Sequence, residues 1–242
     1  MIGRFVWILL LAGIAIVTAQ LQLDRQALRD PELGEMVAEP FKGNAQFTTA
    51  RAALAADDPA FALEQARKLV ARRPVPAEHL TLLAQAYVKA GQIEPAAQAV
   101  QIAAGRGWRD PVAQEAMARL AINAGDLPEA TRRFTALMVL GVQNDELLAD
   151  LADTIFAEPQ GPAYDTLVTM LSETERWKGT FLRRAPGVMP PAAYAQVIIA
   201  STQNAVRFDC RQLTLSRQII ERRDAEAGAA IEAVEPVHCR PS

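Results

Sequence analysis

The stretch from His79 to Ala103, HLTLLAQAYVKAGQIEPAAQAVQIA, decides the architecture of this chain. Its apolar residues recur at helical spacing, with Leu80, Leu83, Ala84 and Tyr87 on one stripe. The stripe breaks at Ala90-Gly91-Gln92, a glycine signal of the kind that ends helices. It resumes with Ala96, Ala99, Val100 and Ala103, and Pro95 sits near the first turn, where a missing N–H costs nothing. The segment therefore reads as a helix, a short turn and an antiparallel helix.

The same unit occurs three times. A shift of 34 residues aligns Ala50, Ala53, Ala62, Ala66, Leu69 and Pro74 with Ala84, Tyr87, Ala96, Val100, Ala103 and Trp108. A second shift aligns the latter set with Ala118, Ala121, Ala130, Phe134 and Leu137. Gly91 and Gly125 share an offset, as do the prolines near the following helix starts, within a residue (Pro95, Pro128). Alanine at the crossing lets two helices approach closely, and larger residues such as Tyr87 and Phe134 fill the space between units. One such unit cannot bury its apolar face alone, so units must stack. A fourth, degenerate unit is expected, with Leu148, Leu151, Ala152 and Ile155 on one helix and Tyr164, Leu167, Val168 and Leu171 on the next. Its turn, Glu158-Pro159-Gln160-Gly161-Pro162, replaces the glycine turn.

The pattern resembles the tetratricopeptide repeat. The family's small residue at the eighth position corresponds to Ala50, Ala84 and Ala118, and its alanine at the twentieth to Ala62, Ala96 and Ala130. Its large residue four positions later corresponds to Val100 and Phe134, with Ala66 departing from the rule, and its closing proline survives only as Pro74. The resemblance covers residues 43–142 best. It implies an all-α fold, an α-solenoid of three to four helix-turn-helix units, and a concave groove lined by the first helix of each unit. The groove positions it implies are Asn44, Phe47, Arg51 and Leu54; then Glu78, Thr81, Gln85, Val88 and Lys89; then Val112, Glu115, Arg119, Ile122 and Asn123. Arg51, Gln85 and Arg119 fall at one repeat position, so a carboxylate-bearing peptide is chemically sensible there. The family's carboxylate-clamp set of lysines and asparagines is not reproduced.

Composition agrees with helices. Alanine accounts for 46 of 242 residues, aromatics for 6%, and β-branched runs are scarce. Twenty-five basic against 28 acidic residues leave a net charge of −3, which argues against a nucleic-acid partner needing a basic face. With 50% hydrophobic residues the chain can support a core. No GxSxG, HExxH or glycine-rich phosphate loop occurs. His79, at a repeat-helix start, is expected in solvent, and Asp57-Asp58 is expected to cap a helix. The reading is therefore a binding scaffold without catalysis, cofactor or metal. A second reading is a polysaccharide- or peptidoglycan-processing or sugar-binding protein with a pocket between the repeats and the C-terminal cap.

Residues Phe5–Leu23 carry no charge and follow Arg4. Nineteen helical residues span about 28 Å, close to the hydrocarbon thickness of a bilayer. Two readings follow: a single-pass anchor in the inner membrane with the rest in the periplasm, or an export signal cleaved after Val17-Thr18-Ala19. The partners then expected are the membrane, through this helix, and another envelope protein or peptide segment, through the groove. Residues 24–42 read as a spacer, 43–174 as repeats, and 175–242 as a helical cap with a stapled tail. Within the cap, 175–190 read as a connector, and 192–202 and 211–223 as helices. Interleaved Arg176, Trp177, Lys178, Phe181, Arg183 and Arg184 read as a tryptophan partly buried among snorkelling arginines, with contact to an anionic surface as the second reading.

An exported chain whose two cysteines, Cys210 and Cys239, lie in one terminal segment is expected to join them. The chain-entropy model gives such a loop about 3–4 kcal/mol. Peptide mapping without reductant, on protein isolated from the periplasmic side, is expected to find Cys210 and Cys239 in one linked peptide. Two alkylated free thiols would contradict this.

Overall fold

In a computed structural model, which describes residues 2–234 and the backbone of 239–240, the chain is an all-α helical-repeat protein. It opens with a long apolar helix, α1 (Ile2–Gln26), followed by two short 3₁₀ turns at Pro31–Met36 and Glu39–Phe41. Six helices then form three hairpins: α2 (Asn44–Ala55) with α3 (Pro59–Arg72), α4 (Ala77–Lys89) with α5 (Ile93–Gly105), and α6 (Pro111–Asn123) with α7 (Leu127–Leu140).

The hairpins repeat in their backbone chemistry as well as their sequence. Each three-residue turn contains one residue with positive φ at the same offset: Asp57 at 57°, Gly91 at 73° and Gly125 at 73°. That conformation lets a later amide reach back over the turn. The N–H of Asp58 donates to Ala53 O at 3.2 Å, Gln92 to Tyr87 O at 2.8 Å, and Asp126 to Ala121 O at 2.9 Å. These are helix-ending Schellman bonds at one repeat position. The next helix then starts at once. The Asp58 carboxylate accepts from Phe61 N, and that of Asp126 from Glu129 N, as the capping expectation for Asp58 required. The small residues at the crossings are sealed: Ala50, Ala62 and Ala66 at 0%, Ala118 and Ala130 at 0%, and Ala84 and Ala96 at 2% and 4% exposure.

The chain divides into two compact units, 1–107 and 108–242. The division lies inside the repeat segment expected over 43–174. It falls just after α5, where Gly105-Arg106-Gly107 ends the helix and Gly107 takes φ 148°. In the first unit Ala50, Leu69, Leu82 and Leu83 form one cluster, closed at its edge by Phe47, Leu54 and Tyr87. In the second, a single cluster runs from Ala118 to Ile231, so the third hairpin shares its core with what was expected to be a separate cap. Phe134, Phe156 and Tyr164 form an edge-to-face chain at its centre, with ring centroids 5.8 and 5.4 Å apart.

The expected fourth unit is present as two helices, α8 (Asp145–Ile155) and α9 (Pro162–Glu173), and its eight named apolar residues are all buried. The turn between them is longer, residues 156–161, and it is pinned by the Tyr164 hydroxyl donating to Phe156 O at 3.0 Å. With that length α9 packs chiefly on α7 and α11 (Pro191–Gln203). The segment expected as a connector contains α10 (Lys178–Val188), with Pro186 in its last turn. The carbonyls at this helix end find a distant donor. Arg223, at the end of α12 (Cys210–Arg223), donates to Pro186 O and, at 2.9 Å, to Met189 O. Arg184 does the same for α7, reaching Met138 O at 2.9 Å and Val142 O at 2.7 Å. The last helix, α13 (Ala225–Glu232), lies on α11 and α12. Strand β1 (Phe208–Asp209) pairs in parallel with β2 (Cys239–Arg240), placing Phe208 opposite Cys239. Cys210 therefore follows directly on the strand that carries the tail, while the Cys239 side chain lies outside the described residues.

Gly125 separates backbone from packing effects, because a Cβ there would meet nothing within 4 Å. Gly125→Val is expected to lower stability by about 1–2 kcal/mol through its left-handed backbone alone. Gly187→Ala, equally open but in helical backbone, is expected to raise stability by up to about 1 kcal/mol. Urea unfolding followed by circular dichroism checks both signs.

Candidate functional site

The groove positions divide by commitment. On α2, Arg51 is exposed, its guanidinium carbon 5.7 Å from the Phe47 ring centroid, a cation–π distance. Phe47 in turn meets the His79 ring at 5.7 Å, and Leu54 is half-buried against the first unit's core. On α4, Glu78, Gln85, Val88 and Lys89 face solvent, with Val88 55% exposed. Lys89 is held by Asp57 at 2.5 Å across the hairpin turn. That contact keeps the Asp57 carboxyl below its ordinary range.

Two expectations at this face are corrected. Thr81 is 5% exposed and belongs to the packed side of α4, so it lines no open groove. Its position is one residue off the solvent stripe. His79, expected in solvent, is 6% exposed; its Nδ1 lies 3.0 Å from Arg73 O and its ring covers Phe47. The backbone carbonyl at the end of α3 supplies the polar partner that makes burial of the imidazole tolerable.

In the second unit, Val112, Arg119 and Asn123 are exposed on α6, Glu115 is half-buried, and Ile122 leans on the core. Arg119 is shared between Glu115 at 3.1 Å and Asp150 at 3.4 Å. Uncommitted groups at neighbouring repeat positions are therefore concentrated on α2 and α4, where Arg51, Gln85 and Val88 remain open. Those two helices pack side by side.

The segment after α1, expected as a spacer, is built into the fold. Helix α2 begins after Gly43, which has no side chain to cap it. Its free amides are taken from a distance by Asp24, near the end of α1. The Asp24 carboxylate accepts from Gly43 N at 2.8 Å, Ala45 N at 2.9 Å and Asn44 N at 3.1 Å, and Arg73 Nη2 approaches at 3.4 Å. Asp24 is 1% exposed. A buried carboxylate at a helix N-terminus, receiving three N–H groups, meets the positive end of the helix dipole as well. Asn44, offered as a groove residue, is thus half-buried and its amide is spent on this cap. A Cβ at 43 would lie 2.0 Å from the Arg73 guanidinium carbon, so a side chain there would push the Arg73 head group aside. Around this carboxylate Ala27, Val37 and Ala45 form a small core with Leu23 and Phe41 at its edge. Gln20 accepts the Ala38 amide at 2.7 Å. Residues 3–19 of α1 are exposed throughout, so engagement with the fold begins at Gln20.

Glu39, in the second 3₁₀ turn, ties the collar to α3. Its Oε2 accepts from Arg72 at 2.5 Å and its Oε1 from Lys42 at 3.0 Å. Arg72 also reaches Gln46, itself bonded to Gln65 at 2.6 Å.

Of the basic and aromatic run in the second unit, Trp177 is half-buried and stacks edge-on with Phe181 at 6.1 Å, and Arg184 caps α7 as described. That half of the run is structural. Arg176 and Arg183 point to solvent instead, and Lys178 is bound to Glu175 at 2.8 Å.

The helix Gly3–Gln26 is long and apolar enough to span a membrane or to act as a signal sequence, and none of its apolar window is buried in the protein. No protein-family model matches the chain, and no curated protein matches it.

Two predictions follow from the collar. Asp24→Ala removes the acceptor of three amides and the partner of Arg73, and is expected to cost about 2–4 kcal/mol in urea unfolding of the full chain in neutral detergent. An unchanged midpoint would show the cap to be dispensable. The hydrogen bond from Arg72, then that from Lys42, holds the Glu39 carboxyl at about 2, against an ordinary value of 4.5. A depressed carboxyl contributes stability above its unfolded value and loses it as pH falls through the folded one. Carboxyl-carbon NMR is expected to give a Glu39 midpoint near 2, moving up toward the ordinary value in Arg72→Ala.

Proposed function

We propose that this protein is a membrane-tethered scaffold, built on the tetratricopeptide plan, that holds a segment of another envelope protein by groove binding, without catalysis. The observation that carries this reading is the open strip formed by Arg51, Gln85 and Val88 on two adjacent repeat helices, beside Lys89, which is already paired with Asp57. An arginine, an amide and an apolar side chain in a row suit an extended or helical peptide bearing a carboxylate. The apolar helix supports the tether, and the positive charge of Arg4 before it supports a periplasmic placement of everything from Gln20 onward. In that compartment a Cys210–Cys239 disulfide would hold the tail beside β1.

A photo-crosslinking residue at Gln85, in full-length protein in native membranes, is expected to yield one discrete protein adduct. The same residue at Glu64, exposed on the outer helix α3, is expected to yield none. A common smear from both sites, or no adduct from either, would contradict the scaffold reading.

A further inference from the structure

Helices α10 and α12 enclose a cleft that the scaffold reading does not use. It consists of two adjoining cavities, about 430 and 660 Å³, which share Leu182, Arg183, Asp209 and Gln212. Those volumes lie in the range of small-molecule sites. Six cationic side chains line the pair (Arg176, Lys178, Arg183, Arg207, Arg211, Arg222) against two anionic ones, Glu175 and Asp209, an excess of four positive charges on a chain whose net charge is −3.

The arginines are available. Lys178 is spent on Glu175, and the Asp209 carboxylate accepts the Gln212 amide as the cap of α12. Arg176, Arg183, Arg207, Arg211 and Arg222 make no ion pair among the described residues. This contrasts with Arg184 and Arg223 of the same helices, which cap helix ends. At the floor of the cleft the Gln212 and Arg183 head groups lie over Gly179. Position 179 is glycine, and a Cβ there would lie 2.9 Å from Gln212 Oε1 and 3.2 Å from an Arg183 nitrogen. The Gln212 Oε1 atom is buried and has no donor. A buried acceptor without a donor is costly, so a ligand that brings a hydroxyl is favoured there. To the shared Leu182 the larger cavity adds Leu215 and Ile219 on its apolar side, with Leu215 52% exposed.

We propose that this cleft binds a phosphate ester that carries a free hydroxyl, such as a glycerophosphate group. The three guanidinium groups on the smaller cavity, Arg176, Arg183 and Arg207, match the three oxygens and double charge of phosphate better than a single carboxylate. The hydroxyl satisfies Gln212, and an attached aliphatic chain lies along Leu215 and Ile219. The same chemistry is offered by a soluble glycerol phosphate and by the headgroup of an anionic glycerophospholipid. The proposal is independent of the peptide groove on α2 and α4.

The test uses the full-length chain in a neutral detergent and isothermal titration with three probes: glycerol 3-phosphate, a short-chain phosphatidylglycerol below its micellar concentration, and glycerol. Saturable binding of glycerol 3-phosphate, with none of glycerol, identifies the phosphate ester itself as the ligand. Binding of the short-chain lipid alone identifies the headgroup with its chain. Either result is expected to weaken at least about tenfold in Arg183→Gln with Arg207→Gln, where two charged hydrogen-bond donors are lost. Gly179→Leu, which pushes the Gln212 and Arg183 head groups off the floor, is expected to do the same. Arg51→Gln in the first unit is expected to leave binding unchanged. No saturable binding of either phosphate probe, or equal weakening by Arg51→Gln, overturns the proposal.

Discussion

Close approach of antiparallel helices at alanine is the constraint from which the rest of this protein follows. Ala50, Ala84 and Ala118 on the first helices, and Ala62, Ala96 and Ala130 on the second, are buried and present nothing larger than a methyl group to the core. Each crossing fixes the face that points inward and therefore the residues left outside. It also fixes the turn. Three residues suffice to reverse the chain when one takes a left-handed backbone, as Asp57, Gly91 and Gly125 do. Where the turn lengthens to six residues, after α8, the hairpin opens and α9 packs on α7 and α11 instead.

The collar shows how an apolar N-terminal helix can be coupled to such a unit. A flexible linker would leave the two independent. Here the carboxylate of Asp24, on the apolar helix, is the cap of the first repeat helix, and the pair from Glu39 to Arg72 fastens the intervening chain to the second. Residues 20–26 consequently belong to the folded unit whether the exposed part of α1 is retained or removed. The small-residue site Val17-Thr18-Ala19 lies immediately before the first engaged residue. Either fate of the helix leaves the cap on α2 intact.

Periodic features were legible in the amino-acid sequence because they are local and repeated. The alanines, the glycine turns and the three hairpins could all be aligned on one another without any tertiary information. What could not be read depends on contacts between distant residues. The Asp24 cap joins positions about twenty residues apart, so a charged, proline-containing stretch looked like a spacer. The stretch 175–190 read as a connector because Arg223, which captures the carbonyls at the end of α10, lies 37 residues from Pro186. Thr81 and His79 were placed on the open face by offset alone, and a phase error of one residue on a helix is enough to exchange solvent for core. The basic run around Trp177 mixed both kinds of residue, since one face of α10 packs on the core and the other lines the cleft. Asp57 was legible as a turn residue, but nothing in its identity announced that it replaces a glycine in left-handed backbone.

Leucine substitution at neighbouring positions tests the repeat packing most directly. Ala84 lies at a helix crossing and Gln85, next to it, in solvent. Measured by urea unfolding, Ala84→Leu is expected to lose about 1–3 kcal/mol by overpacking the crossing. Gln85→Leu is expected to stay within about 0.5 kcal/mol of the parent, as an exposed change should. Equal effects at the two positions, or a larger loss at Gln85, would contradict the stacked-hairpin account.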